Sequence, residues 1–213
     1  MQTLLSTAYL PPVQWFSRLA ANGCVTVEMC ESYHKQTYRN RCVIDAPNGA
    51  VALTIPVEKP EDGSRRVKDM RISDHDDWRN KHWHALESSY FNTPFFEYYQ
   101  DDFRPFYEKK YEFLTDFNEA LIHKCMELIG IQCEIRHTDS FVDPDEINPS
   151  ETEDLRFLIS PKIPYEKDTR FICKPYYQVF AERHGFQGNL SIIDLLFNMG
   201  PESILILRDS CVS

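Results

Sequence analysis

The chain has 213 residues, of which 42% are hydrophobic and 13% aromatic, and its formal net charge is −10. A chain of this length folds most simply as one domain, and its apolar content excludes a mostly disordered protein. The acidic balance, with dense basic groups only at Arg39, Arg41 and residues 65–68, favours recognition of a small anion over the broad basic surface that DNA- and RNA-binding proteins present to phosphates. A nucleic-acid partner is therefore not expected. We therefore expect a single domain over residues 1–213.

Cysteine usage and the apolar segments indicate where the protein acts. The seven cysteines are scattered without a C-x-x-C pair, so neither a disulfide framework nor a zinc ribbon is predicted. The N-terminus lacks the charged and apolar regions of a signal peptide, and no apolar run approaches the ~20 residues that span a bilayer. We expect reduced thiols, no membrane insertion and a cytoplasmic location.

The first thirty residues predict a β-α-β unit. Residues 3–8 form a short apolar strand, and Pro11-Pro12 favours a helix that continues to about Ala21. Gly23 ends this helix, and residues 24–29 predict a second strand. A strand, a helix and a strand in so short a span favour parallel pairing.

A β-hairpin is predicted over about residues 40–57, because Asn48-Gly49 favours a two-residue turn. With that turn, Ile44 pairs with Leu53 on the inner face of the hairpin. The fold class that we predict is therefore α/β: one domain with a mixed, partly parallel sheet flanked by helices, plus this hairpin.

Helices are predicted in the middle of the chain. The first begins at Asp76 or Asp77, and residues four apart mark its inner face: Trp78, His82, Leu86 and Tyr90. Pro94 opens an aromatic helical segment, and a longer helix covers about residues 113–129 before Gly130. A further strand is predicted over residues 131–136.

An acidic segment over residues 139–154 carries seven acids and no apolar periodicity. It predicts a mobile loop, either a solvated linker or a lid over the site. Beyond it, residues 175–183 predict a helix. Ser191 and Asp194 resemble a capping box before a short apolar helix, and residues 203–207 predict a last buried strand.

Common catalytic signatures are missing from the sequence. It contains no G-x-G-x-x-G, P-loop, H-E-x-x-H or G-x-S-x-G motif, and its acidic segment lacks the spacing of an EF-hand. Dinucleotide oxidoreductases, P-loop kinases and common serine hydrolases are therefore disfavoured. No metal site is predicted, and the sequence leaves the cofactor unknown.

The strongest binding candidates precede and begin the hairpin. Arg39 and Arg41 lie two residues apart, hence on one face of a strand, where two guanidiniums suit a phosphate or carboxylate. Asn40 lies between them, and Lys35 adds charge. The alternative is a solvent-facing strand whose arginines form salt bridges with the acidic surface.

Two histidines are candidate general bases. His82 lies on the apolar face of its helix, where a hydrogen-bonded core histidine is the ordinary interpretation and a base at a pocket wall is the alternative. His184 lies in a predicted turn and is the runner-up. Near the C-terminus, polar groups that could orient a ligand, or cap and pack helices, are Gln178, Asn189, Ser191 and Asp194.

Three segments together resemble the WbqC-like protein family. Residues 6–11, STAYLP, stand where that family has a Gln-Pro-x-x-Phe-Pro stretch, and they depart from it at Ser6-Thr7. Residues 35–41, KQTYRNR, continue the similarity into the hairpin and on to DWRNKH at 77–82. The third segment, residues 185–201, is GFQGNLSIIDLLFNMGP.

The resemblance implies a bacterial protein associated with gene clusters for O-antigen and other surface polysaccharides. It implies a transferase that moves glycine or a similar acyl group onto an activated sugar. Its substrate would be an anionic small molecule such as a nucleotide sugar, and it could contact other glycan-biosynthesis enzymes. The alternative is a non-catalytic adaptor, with an exposed aromatic patch near residues 95–99, or a small-molecule-binding protein of the same pathway.

Overall fold

Four parallel strands form the central sheet of the protein, whose computed structural model describes residues 1–58, 60 and 62–212. The order across the sheet is β7 (Glu134–His137), β2 (Cys24–Glu28), β1 (Gln2–Ser6) and β8 (Thr152–Asp154). Helix α1 (Val13–Ala21) connects β1 to β2, which pair in parallel. The predicted β-α-β unit and the α/β class are both confirmed.

Six further helices complete the architecture of the described residues. They are α2 (Trp78–Tyr90), α3 (Phe96–Glu108), α4 (Leu114–Ile129), α5 (Ala181–His184), α6 (Ile192–Met199) and α7 (Ser203–Asp209). Helix α2 packs on α3, and α1 packs on α7. The predicted inner face of α2 is buried, and α4 ends at Gly130 with a left-handed φ of 79°, as predicted. None of these helices is long and apolar enough to cross a bilayer.

The hairpin is present, but the predicted register is wrong by two residues. Strands β3 (Arg41–Ala46) and β4 (Gly49–Thr54) pair antiparallel, with Ile44 opposite Val51 rather than Leu53. A second antiparallel pair follows, made of β5 (Val57–Glu58) and β6 (Arg71–Ile72).

The turn explains the shift in register. Pro47 and Asn48 occupy its two central positions, and Gly49 already belongs to the returning strand with a φ of 106°. The proline ring fixes a negative φ, so the turn cannot be the type I′ that Asn-Gly favours. A shift of two residues preserves the alternation of faces, so Cys42 and Leu53 still point into the core.

The acidic segment 139–154 contains regular structure at its end. Its last three residues form β8, which pairs with β1 at the edge of the sheet. Pro144–Glu146 form a 3-10 turn, and the Val142 N–H donates to the carboxylate of Glu28 at 2.9 Å. The segment is therefore anchored at both of these points, and its mobility stays a prediction.

Two elements of the C-terminal third differ from prediction. Of the helix predicted over residues 175–183, only α5 forms, because the preceding backbone is extended: Tyr176 and Gln178 point inward while Tyr177 is exposed. The strand predicted over residues 203–207 is wrong, since these residues lie in α7. A short apolar run fits either structure, and only packing against α1 selects the helix.

Candidate functional site

A cavity of about 380 Å³ opens beside the segment that precedes the hairpin. Its described lining consists of Tyr33, Lys35, Val57, Ser64, Arg65 and Met70. Two of these side chains are cationic and two carry hydroxyl groups. The wall is therefore suited to a polar anion, with Tyr33, Val57 and Met70 supplying apolar surface.

Backbone pairing between two irregular segments builds this cavity. The Tyr33 N–H donates to the Arg65 carbonyl at 2.7 Å, and the Val67 N–H donates to the Glu31 carbonyl at 2.8 Å. An isolated antiparallel bridge joins Ser32 to Arg66 between them. This pairing brings Lys35 and Arg65, about thirty residues apart in sequence, to one opening.

Tyr33 connects the cavity to the predicted arginine pair. Burial raises the pKa of the Tyr33 phenol, while the charges of Arg39 and Arg41 and a hydrogen bond with Asn40 act in the opposite direction. The phenol therefore lies in the field of both guanidiniums. Arg41 is half-buried, and its Nε donates to the Thr54 hydroxyl at 3.1 Å.

Arg39 has its partners inside the protein. Its Nε donates to Glu31 at 2.9 Å, and its Nη2 contacts both Glu31 and the Ser6 hydroxyl. The neighbouring Asn40 donates to the Ile55 carbonyl at 2.7 Å. Among the predicted binding residues, Lys35 thus lines the cavity and Arg41 lies near Tyr33, whereas Arg39 and Asn40 are buried and hold the start of the hairpin.

Asp194 is the centre of a second polar cluster. The carboxylate is fully buried and accepts hydrogen bonds from the hydroxyls of Tyr90 at 2.9 Å and Tyr176 at 2.7 Å, and from the Gln178 amide at 3.1 Å. Burial raises the pKa of Asp194 to about 6, which the three donors oppose and the nearby charge of Asp45 reinforces. The structure thus brings together Gln178 and Asp194, two of the predicted site residues.

An aspartate–histidine pair adjoins this cluster. His184, in α5, places its Nε2 at 3.4 Å from a carboxylate oxygen of Asp45, whose side chain is buried. Burial raises the pKa of Asp45, and His184 counteracts the rise. Tyr90 links the two groups, because its hydroxyl accepts from the Asp45 N–H at 3.2 Å and donates to Asp194.

Asn189 and Ser191 lie apart from these carboxylates and fasten α6 to α1. The Asn189 amide bonds to both the backbone and the side chain of Gln14, at 2.9 and 3.2 Å. The Ser191 hydroxyl donates to the Leu10 carbonyl and accepts from the Ile193 N–H as the α6 cap. The predicted capping box is half present, because the Asp194 carboxylate turns to the tyrosines instead of the Ser191 N–H.

His82 is in the aromatic core and is not among the described residues that line the cavity. Its Nδ1 lies 3.0 Å from the Tyr9 hydroxyl, and Trp78 contacts it edge-on at 5.1 Å between ring centroids. Burial lowers the pKa of His82 to about 4, although a hydrogen bond with the Thr54 backbone opposes the shift. The placement favours the core interpretation, and the role as a general base stays a prediction.

Several residues of these clusters were absent from the predicted site. Tyr33 and Arg65 come together only through loop pairing, which has no periodic signal. Asp45 did have a signal: a carboxylate within the apolar strand sequence RCVIDA is a buried polar group that needs a partner. Within the described residues, no three His, Cys, Asp or Glu side chains are grouped as metal ligands.

Comparisons with known proteins agree with the resemblance seen in the sequence. The chain is 25% identical over 227 residues to the uncharacterized protein Rv1507c of Mycobacterium tuberculosis (strain ATCC 25618 / H37Rv), covering 96% of each chain. No solved structure matches it. The profile of the WbqC-like protein family matches residues 7–155, which include α1, the hairpin, both cationic lining residues and Asp45. The chain belongs to the WbqC-like protein family.

Proposed function

We propose that the cavity beside Tyr33 binds the anionic part of a small-molecule substrate such as a nucleotide sugar. The observation that carries the proposal is the convergence of Lys35 and Arg65 on one opening of about 380 Å³ in a protein of net charge −10. Cavities of roughly 300–1,000 Å³ hold small ligands in other proteins. Concentrated positive charge on an acidic surface therefore supports recognition of a specific anion.

The charged and the aromatic lining residues are suited to different parts of the ligand. Lys35 and Arg65 supply charge-assisted hydrogen bonds to phosphate or carboxylate oxygens. Tyr33, half-buried beside them, offers a flat apolar face and a hydroxyl, a combination that suits a sugar or a base. Arg41 adds to the positive potential at the phenol.

The reaction that we propose is transfer of glycine or a similar acyl group onto an activated sugar, in bacterial surface-polysaccharide synthesis in the cytoplasm. The sugar's amine or hydroxyl attacks the acyl carbon, its proton passes to a base, and the donor's leaving group departs. Family membership supports this reaction only through the resemblance described above. His82 is the first candidate base and His184, which has the Asp45 carboxylate behind it, is the runner-up.

Binding is tested with the whole protein by isothermal titration calorimetry against UDP-sugars and UDP. We expect Lys35→Gln with Arg65→Gln to weaken binding at least tenfold, because each removed charge-assisted bond contributes about 1.5–3 kcal/mol. Arg104→Gln is the matched control, since Arg104 is exposed and its ion-pair partner among the described residues is Glu108 on its own helix. Equal affinity in all three proteins would refute the cavity assignment.

The base is tested separately from binding. Once a turnover assay exists, His184→Gln and His82→Gln are compared at saturating substrate. The base variant should lower kcat with little change in affinity. Unfolding curves of both variants identify any loss that comes from the core around His82.

A second candidate function, an adaptor that contacts other glycan-biosynthesis enzymes, is favoured by one observation. Phe91 and Tyr98 are 68% and 75% exposed at the junction of α2 and α3, although Phe96 between them is buried. Large exposed aromatics are enriched at protein interfaces. Substituting Phe91 and Tyr98 by Ser should abolish partner capture while leaving UDP-sugar binding intact, which distinguishes the adaptor from the transferase.

A further inference from the structure

A second cavity, of about 400 Å³, lies beside the C-terminal ends of α1 and α7. Its described lining includes three arginines, Arg18, Arg170 and Arg208, together with Asn22 and Cys211. No Asp or Glu belongs to this described lining. The cavity is therefore walled mainly by guanidinium, amide and thiol groups, which is unusual for a chain of net charge −10.

Arg18 is held rigidly at the base of this cavity. The side chain is only 1% exposed, its Nη2 pairs with Asp168 at 2.5 Å, and its Nη1 lies 3.7 Å from Glu153. Nη1 also contacts the Arg170 carbonyl and the Cys211 sulfur, at 3.4 and 3.5 Å. A guanidinium fixed by so many contacts is pre-organised and loses little side-chain entropy when it recognises a ligand.

The arginines of this cavity outnumber the described carboxylates that form ion pairs with them. Arg170 shares Glu153 with Arg18, at 3.3 Å. Two carboxylates, Glu153 and Asp168, therefore face three guanidiniums, and Arg208 forms no ion pair within the described part of the chain. Among the described residues, these groups therefore leave one more guanidinium than carboxylate at the cavity, and the side chain of Arg208 is exposed.

The two cavities lie at opposite ends of the central sheet. The first adjoins the carboxyl end of β1, because Arg39 donates to the hydroxyl of Ser6, the last residue of that strand, and pairs with Glu31 beside the cavity. Helix α1 runs back from there, so its C-terminal end, with Arg18 and Asn22, returns to the end where β2 begins. A strand of five residues spans roughly 16 Å, so one small anion cannot occupy both cavities.

We propose that this second cavity binds an oxyanion-bearing small molecule, with phosphate or carboxylate oxygens held by Arg170 and Arg208 above the fixed guanidinium of Arg18. Guanidinium groups present paired N–H donors in the geometry that such oxygens accept. The Asn22 amide adds hydrogen-bonding capacity beyond the bond it donates to the Arg18 carbonyl. The site is separate from the proposed substrate cavity and does not depend on the transferase proposal.

The test uses the whole protein and two probes, pyrophosphate and citrate, in calorimetric titrations at low ionic strength. We expect at least one probe to bind, and the double variant Arg170→Gln with Arg208→Gln to weaken that binding at least tenfold. Arg18 is left unchanged, since removing it would leave Asp168 buried without its cation. The exposed Arg136→Gln, on β7, is the matched control and should bind as the wild type does.

Each outcome decides the inference. Weakened binding in the arginine double variant, with binding retained in the Lys35→Gln, Arg65→Gln protein, places the probe in the second cavity. Unchanged binding in the arginine double variant overturns the inference. Preference for pyrophosphate identifies a phosphorylated ligand, and preference for citrate identifies a polycarboxylate. Binding of both probes weaker than about 1 mM in the wild type also overturns it. UDP-sugar binding is unaffected by the arginine double variant if both proposals hold.

Discussion

Two buried titratable groups, His82 and Asp194, are stabilised in opposite ways. His82 lies among aromatic rings, with the Tyr9 hydroxyl as a side-chain partner, and its pKa falls to about 4. Asp194 has three donors, from Tyr90, Tyr176 and Gln178, and its pKa rises to about 6. At neutral pH the histidine is therefore uncharged, while the aspartate is ionised.

The difference shows that burial alone does not decide the charge of a group. Removal from water disfavours the charged form of both side chains. Around His82, the hydrogen bond with the Thr54 backbone and the charge of Asp76 favour the cation too weakly to offset burial, so the proton is lost. Around Asp194, two hydroxyls and an amide favour the anion and keep its pKa below 7 despite full burial. One region is thus a dry core, and the other is a polar cluster that remains charged.

The two groups have opposite effects on stability as pH changes. The folded-state pKa of His82 is below the ordinary value of 6.5, so its stabilising effect is complete above pH 6.5 and is lost as pH falls toward 4. The folded-state pKa of Asp194 is above the ordinary 3.8, so its contribution is most favourable below pH 3.8 and declines as pH rises through 6. Across the same window the two contributions largely cancel.

Among the variants that test this comparison, Asp194→Ala is expected to lower the free energy of unfolding the most. The substitution removes the carboxylate acceptor of the Tyr90 and Tyr176 hydroxyls, while the Gln178 amide loses one bond and keeps its bond to the Gln187 carbonyl. Each unsatisfied buried group costs about 1–3 kcal/mol, so we expect a loss of roughly 3–5 kcal/mol in urea unfolding at pH 7. The exposed Asp143→Ala is the control, and equal midpoints for the two variants would show that the cluster contributes little.

A pH series should separate the two contributions. A pKa change of one unit corresponds to about 1.4 kcal/mol, so each group contributes about 3 kcal/mol over its window. Relative to the wild type, Asp194→Asn should become more stable by about this amount as pH rises from 4 to 6. His82→Gln should change in the opposite direction between pH 4 and 6.5. If the free energy of unfolding of both variants followed the same pH dependence as the wild type, the pKa shifts of Asp194 and His82 would be contradicted.

Removing one hydroxyl from each region gives a smaller and more local effect. Tyr90→Phe deletes a donor to Asp194, so we expect the Asp194 pKa to rise above 6 and stability to fall by about 1–3 kcal/mol. The carboxyl carbon of Asp194 in an NMR titration reports the change. Tyr9→Phe, the matched variant in the aromatic region, should leave that titration unchanged, and a shift there would show that the regions are coupled.

The smallest change in stability is expected from a substitution at the protein surface. Lys110 and Arg79 lower the pKa of Asp74 to about 2, but the Asp74 side chain is 48% exposed, so solvent screens the interaction. We expect Lys110→Gln to change the free energy of unfolding by less than about 1 kcal/mol. A larger loss would mean that the distinction between buried and exposed charges does not hold in this protein.

Much of the fold followed from periodic patterns in the sequence. The four-residue spacing from Trp78 to Tyr90 correctly predicted the buried face of α2, and Gly130 correctly predicted the end of α4. Strand β8 was missed because Thr-Glu-Asp has no apolar alternation; backbone pairing with β1 and the ion pairs of Glu153 with Arg18 and Arg170 hold it. The run that became α7 was too short for its period to distinguish helix from strand.

Less of the candidate site could be predicted from sequence patterns. Lys35 was predicted as a binding residue and lines a cavity, but its partner Arg65 reaches that cavity through loop pairing that no sequence pattern encodes. The burial of Arg39 depends on Glu31, eight residues earlier in an irregular segment. Spacing along a strand predicts which side chains share a face, but it does not indicate which of them already have a partner.

The position of β8 has a consequence for synthesis of the protein. Strand β1 is made first, and β2 soon covers one of its edges, but its other edge gains a partner only when residues 152–154 have left the ribosome. Until then the nascent chain carries an open, apolar strand edge of the kind that recruits other chains. Truncation before residue 152 should therefore yield aggregated protein, even though most of the hydrophobic strands and helices have already been made.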